Sequence, residues 1–214
     1  MMNLLETIHR GCIQGGRAAL LEAVDLALAN GVGAETVMTQ ALIPAMSVVG
    51  EKYSTGEYFL PQMMLSARAM SEAMQVLAPH LARGSYETKA KVVLGTVAGD
   101  YHDIGKNIVA MMLEGGGYEV VDLGVDVGSD TFLAAVRDQR PRFVLLSALL
   151  TLTMERMRQT VEAMVGAGVR ETVVVGVGGA PLTQDFADEI GADFYAADAH
   201  GCVKECDRFL SSKP

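Results

Sequence analysis

Over the first 80 or so residues, apolar positions recur at helical spacing and form no convincing strand. Leu20, Leu21, Val24, Ala27 and Leu28 share one helical face, and Asn30-Gly31-Val32-Gly33 supplies stop residues after them. Val37, Leu42, Ala45, Met46, Val49 and Gly50 form the next stripe, in which Pro44 predicts a kink or a restart. From Leu60 to Leu81 a further stripe runs through Met63, Met64, Ala67, Met70, Met74 and Leu77, with Pro61 acceptable in its first turn. With a less regular helix ahead of these, the pattern predicts a four-helix bundle.

Past residue 90 the period changes. Short β-branched runs at 91–97, 118–122, 142–147, 172–177 and 192–195 alternate with helical patterns near 105–115, 129–139, 153–167, 182–190 and 199–211. Strand and helix in alternation, with short connections, predict a flavodoxin-like, doubly wound, five-stranded parallel sheet. The polar stretch Arg83-Gly84-Ser85-Tyr86-Glu87-Thr88 separates the two patterns, giving an expected helical domain over 1–86, an α/β domain over 87–214 and a hinge at 84–90.

The chemistry concentrates in one loop. Lys91 to Ala98 reads as a strand buried on both faces, and Ile108, Met111, Met112 and Gly115 recur at helical spacing beyond it. Gly99-Asp100-Tyr101-His102-Asp103-Ile104-Gly105 therefore leaves the carboxyl end of a strand and opens a helix, where open α/β sheets place their ligands. A phosphate loop is excluded: five residues rather than four separate Gly99 from Gly105, and Asn107 rather than a hydroxyl follows Lys106. The dinucleotide fingerprint G-x-G-x-x-G is also missing from this loop.

What remains is a His flanked by carboxylates. A metal-ligating His commonly gives its second ring N–H to a carboxylate, which fixes the tautomer, and Asp100 stands two residues away. One His cannot hold a bare ion, but it can complete the coordination of a metal already held by a macrocycle.

Asp100-x-His102-x-x-Gly105, Ser147-x-Leu149 and Gly178-Gly179, with 41 and 28 residues intervening, resemble the signature of cobalamin-binding domains that take their cofactor base-off and His-on. Upstream, Tyr53 to Gln62 resembles the helical cap of methionine synthase and of corrinoid proteins in methyltransferase systems. The resemblance covers nearly the whole chain and implies a cobalamin or related corrinoid with His102 on its cobalt. It implies cofactor contacts for Asp100, Tyr101, His102, Asp103, Ile104, Gly105, Ser147, Leu149, Thr151, Thr153, Gly178 and Gly179, and for the cap residues Tyr53, Leu60 and Met63. It also implies a relay from His102 through Asp100 to Thr153, with Ser147, Ala148, Gly176, Gly178 and Gly179 leaving room for the detached nucleotide tail.

Composition narrows the function. The formal charge of −9 counts against nucleic acid and anionic membrane surfaces as partners. No apolar run approaches a membrane span, and Glu6, His9 and Arg10 interrupt the amino terminus where a signal peptide would be apolar, so the expectation is cytoplasmic. Cys12, Cys202 and Cys206 read as ordinary thiols rather than a disulfide scaffold or zinc site. Of thirteen methionines eight precede residue 80, which reads chiefly as core filling, with Met63 alone assigned to a lid.

Among cobalamin binders, a mutase needs a barrel that 214 residues cannot include, and a regulator needs a DNA-binding helix. The resemblance then implies a methyl carrier without a complete catalytic cycle of its own, served by three partners. These are a donor-specific methyltransferase (for methoxylated aromatics in an O-demethylase system, methanol, methylamine or betaine), a second methyltransferase acting on tetrahydrofolate or a thiol, and a reductive activator protein. The alternatives are a mutase small subunit and a cobalamin-sensing module.

Overall fold

A computed structural model describes residues 4–81 and 88–212. Its backbone divides into two compact units, residues 1–88 with Gly115–Gly117, and residues 89–114 with 118–214. Residues 82–87, which include 84–87 of the hinge expected at 84–90, lie outside the described residues.

The first unit is helical: α1 (Leu4–Ile13), α2 (Arg17–Ala29), α3 (Ala34–Val37), α4 (Ile43–Ser54) and α5 (Leu60–Leu77). The buried face of α2 is Leu20, Ala23, Val24 and Ala27, with Leu21 and Leu28 only half-buried at its edges. Between α3 and α4 the chain does not restart at Pro44. It passes through a π turn, Met38–Leu42, where the Ile43 N–H reaches back to the Met38 carbonyl. Pro44 has no N–H for the Gln40 carbonyl and its ring crowds that oxygen, and a widened turn just before it absorbs both problems while the stripe Met38, Ala41, Leu42, Ala45, Met46 and Val49 stays buried.

Helix α5 opens with Pro61 in its first turn and Gln62 Oε1 accepting the Phe59 N–H at 3.1 Å, half of a capping box. It buries Met63, Ala67, Met70, Ala73 and Leu77, whereas Met64, part of the expected stripe, is exposed. The buried Ser66 hydroxyl and the Tyr58 hydroxyl both donate to the Ile13 carbonyl, at 2.8 and 3.1 Å. They satisfy an acceptor that the end of α1 leaves without an intrahelical partner.

The second unit is a five-stranded parallel sheet in the order β2-β1-β3-β4-β5. The strands are β1 (Lys91–Thr96), β2 (Glu119–Asp122), β3 (Phe143–Ser147), β4 (Val174–Gly178) and β5 (Phe194–Ala196). The helices between and after them are α6 (Ile104–Gly115), α7 (Ser129–Gln139), α8 (Thr151–Gly166), α9 (Gln184–Ile190) and α10 (Ala199–Ser211). The central strands β1, β3 and β4 are buried almost throughout, as their Val- and Leu-rich sequences require, while the edge strand β2 is half-open.

Strand order reverses between β1 and β3. The connections leaving their carboxyl ends therefore diverge to opposite faces and leave a crevice between them. That crevice lies between the Gly99–Asp103 loop and the Ala148–Leu150 loop. Among the described residues no helix is long and apolar enough to cross a membrane.

Candidate corrinoid site

The loop after β1 turns sharply. The Asp100 N–H donates to the Val97 carbonyl at 3.1 Å, and Gly99 takes φ +79°, a left-handed conformation that glycine adopts without strain. Thr96, buried at the end of β1, donates its hydroxyl to the His102 carbonyl at 2.9 Å. The loop is thus fastened to the strand that precedes it. At its far side Lys106, buried in the first turn of α6, donates to Asp122 at the end of β2 and to Asn107 Oδ1.

Asp100 is fully buried and collects five donors. Its Oδ1 accepts the His102 N–H at 3.1 Å and His102 Nδ1 at 2.6 Å. Its Oδ2 accepts the Leu149 and Leu150 N–H groups at 2.7 and 3.2 Å and the Thr153 hydroxyl at 2.8 Å. Thr153 Oγ1 also stands 2.8 Å from the Leu150 carbonyl, and its one proton can serve only one of these acceptors at a time. Burial pushes the Asp100 carboxyl up. The N–H of Leu149, the His102 side chain, the Thr153 hydroxyl and the N–H of His102 together outweigh it and hold the group well below the usual carboxylate range.

An ionised carboxylate can only accept, so the proton of the His102 ring lies on Nδ1 and the lone pair on Nε2. The side chain is half exposed at the mouth of the crevice. Around it Tyr101, Ile104, Leu149, Leu150 and Leu152 expose large apolar side chains, Leu152 to 87%. A basic ring nitrogen within an apolar rim suits a flat macrocycle that brings its own metal. It does not suit a bare ion, because among the described residues no group of three or more His, Cys, Asp or Glu could hold one.

Gly105 adds a second test of fit. A Cβ there would meet nothing within 4 Å, so no internal contact demands glycine inside α6. Open space beside a backbone, next to the imidazole, is what close approach of a ligand requires. Gly105→Ala is accordingly expected to raise the stability of the ligand-free protein by about 0.5 kcal/mol while weakening corrinoid binding. Urea denaturation and a cobalamin titration check the two halves separately.

The glycines at the end of β4 have internal reasons. A Cβ on Gly179, at φ +141°, would lie 1.8 Å from the Ala148 carbonyl oxygen; one on Gly178 would lie 3.2 Å from the Ala196 carbonyl oxygen. At Gly176 the space is taken by the Phe194 ring and Leu145. Ser147, half-buried, pairs in register with Gly178 beside the crevice, and Thr151 begins α8, exposed. Asp103 is exposed, its carbonyl accepting the Asn107 N–H at 2.8 Å. In the helical unit Met63 is fully buried, and Tyr53 and Leu60 are half-buried. The Cys202 hydrogen bond and burial push the Cys206 thiol up, as befits an inert interior thiol.

Sequence reasoning assembled His102, Asp100 and Thr153 and missed Thr96, Lys106 and Asp126, which fasten the loop from behind. Asp126 Oδ1 accepts the Gly99 N–H at 2.7 Å and Oδ2 the Tyr101 hydroxyl at 2.9 Å.

Two family models, each described as a B12 binding domain, match residues 90–201 and residues 4–78. The trimethylamine corrinoid protein of Methanosarcina barkeri is 43% identical over 184 residues, 85% of this chain and 85% of that one. The crystal structure of a cobalamin-binding protein from Desulfitobacterium hafniense DCB-2 aligns with a TM-score of 0.82 at 35% identity, covering 96% of this chain and 98% of that one. The methanol:cobalamin methyltransferase complex MtaBC from Methanosarcina barkeri aligns with a TM-score of 0.89 at 31% identity, covering 99% of this chain and 81% of the matched one.

Proposed function

This chain belongs to the B12-binding family, and from that premise we propose that it holds a corrinoid at His102 and serves as the methyl carrier of a methyltransferase system. The observation that carries the reading is the 2.6 Å bond from His102 Nδ1 to the buried Asp100, which leaves Nε2 as the ring nitrogen a metal would take. When bound, the corrinoid supplies a cobalt able to accept and give up a methyl group.

The chain's own residues do the holding. His102 would hold the corrinoid's metal through Nε2, and Asp100 fixes the ring's tautomer and direction and would make it a stronger donor. The Leu149 and Leu150 N–H groups, just ahead of α8, and the Thr153 hydroxyl keep Asp100 ionised and in place. Tyr101, Ile104, Leu149 and Leu150 offer apolar surface against which a corrin excludes water. Ser147, beside Gly178, offers a hydroxyl to a detached nucleotide tail.

A methyltransferase is the partner this reading requires. Relatives whose names specify trimethylamine or methanol support it, and the proposal extends to a second methyltransferase that passes the methyl group to tetrahydrofolate or a thiol, to a reductive activator protein, and to residence in the cytoplasm. The methyl donor is set by the partner enzyme, because none of the residues assembled around His102 is built to recognise a particular donor. The test is direct. Protein mixed with hydroxocobalamin and desalted is expected to keep the corrinoid absorption in stoichiometric amount, and His102→Ala to hold it more weakly than wild type; a colourless wild-type protein contradicts the reading.

A further inference from the structure

Asp126 lies in the connection between β2 and α7, outside every motif of the site, and its backbone is left-handed at φ +56°. That conformation is unfavourable for a residue with a side chain, although Asp tolerates it better than most. Such a residue persists where its surroundings hold it, and three hydrogen bonds do so here. Oδ1 accepts the Gly99 N–H at 2.7 Å, Oδ2 accepts the Tyr101 hydroxyl at 2.9 Å, and the Asp126 N–H donates to the Asp100 carbonyl at 2.9 Å.

Those three contacts fall on Gly99, Asp100 and Tyr101, the residues immediately before His102. Val127, which bridges Val97 in parallel and donates its N–H to the Thr96 carbonyl at 2.9 Å, brings the segment alongside the loop. The two halves of Asp100 are therefore held from opposite directions. Its carboxylate is fixed by Leu149, Leu150 and Thr153, and the main chain around it by Asp126.

We propose that Asp126 is a positioning residue for the axial ligand: it sets the Gly99–Tyr101 main chain so that the His102 imidazole meets the cobalt of a bound corrinoid. The inference rests on the corrinoid reading given above. A carboxylate reaching both the amide before Asp100 and the phenol after it fixes two points of the loop; a shorter or apolar side chain fixes neither.

Asp126→Gly separates this role from a merely structural one, because it deletes both side-chain bonds yet relieves the left-handed backbone. In the ligand-free protein its melting temperature is expected to equal or exceed that of wild type. Its affinity for cobalamin is expected to fall about tenfold, and the share of the cobalt(II) spin-resonance signal that carries nitrogen splitting to fall with it. Asp126→Asn keeps an oxygen for the Gly99 N–H and is expected to return both readouts toward wild type. Wild-type affinity and splitting in Asp126→Gly would overturn the proposal, as would a melting temperature that drops in step with them. A wild-type protein that binds cobalamin with no nitrogen splitting would overturn the ligand assignment itself, and the proposal with it.

Discussion

Replacing Asp100 by alanine is expected to cost the ligand-free protein about 3 kcal/mol and to weaken corrinoid binding roughly ten- to a hundred-fold. The carboxylate is fully buried, and its removal strands the Leu149 and Leu150 N–H groups beside a void and leaves the Thr153 hydroxyl only the Leu150 carbonyl. It also frees the His102 ring to take either tautomer. Urea denaturation of the ligand-free protein measures the first effect and a cobalamin titration the second.

Asp100→Asn keeps the shape but turns an amide nitrogen toward donors, and it exposes the pH dependence of the site. Burial raises the Asp100 carboxyl, yet the donors around it prevail and its folded value lies below the unfolded value of about 3.9. A depressed group contributes stability that is present above the unfolded value and is lost as pH falls through the folded one. The gap in urea midpoint between wild type and Asp100→Asn is therefore expected to stay level from neutral pH down to about pH 5 and to narrow below about pH 4. A gap that widens on acidification would contradict the ionised, hydrogen-bonded carboxylate.

Gly179→Ala is the second change with a large expected effect, a loss of about 3 kcal/mol or more in the ligand-free protein. Its new methyl group would lie 1.8 Å from the Ala148 carbonyl oxygen, and the backbone at φ +141° is all but reserved for glycine. The loops after β3 and β4 cannot separate to make room without breaking the bond from the Ala148 N–H to the Gly178 carbonyl at 3.2 Å. Thermal unfolding checks this. An unchanged melting temperature, with only corrinoid affinity reduced, would mean that Gly179 serves the ligand and not the packing of the loops.

The strand, loop and helix that carry His102 were legible because an unbroken β-branched run gives way to Gly99 and then to helical periodicity, and local sequence encodes all three. The Asp100–His102 pair was legible from spacing alone. Thr153 was not; only the resemblance pointed to it, because its bond to Asp100 spans 53 residues and closes at the reversal of strand order. Lys106 and Asp126 were invisible for the same reason, and Thr96, whose partner His102 is only six residues on, because its bond depends on how the loop turns back. A Lys opening a helix and an Asp in a loop are ordinary residues until parallel pairing sets β2 and its continuation against β1. Gly176 and Gly179 were legible as small and were assigned to a slot for the nucleotide tail; the atoms each would meet lie in Phe194, Leu145 and the Ala148 carbonyl, none of which is near in sequence. Within the bundle the π turn before Pro44 was foreshadowed only as a kink, since a proline announces the missing hydrogen bond but not how the chain accommodates it.

Isotope labelling puts the question to His102 most directly. Protein grown with nitrogen-15 histidine, loaded with cobalamin and reduced to cobalt(II), is expected to show each cobalt line of its spin-resonance spectrum split in two, where unlabelled protein gives three. The splitting should vanish in His102→Ala, although His9, His80 and His200 still carry the label. A three-line pattern that survives labelling would put the cofactor's own base on the cobalt, and contradict the axial imidazole on which the site is built.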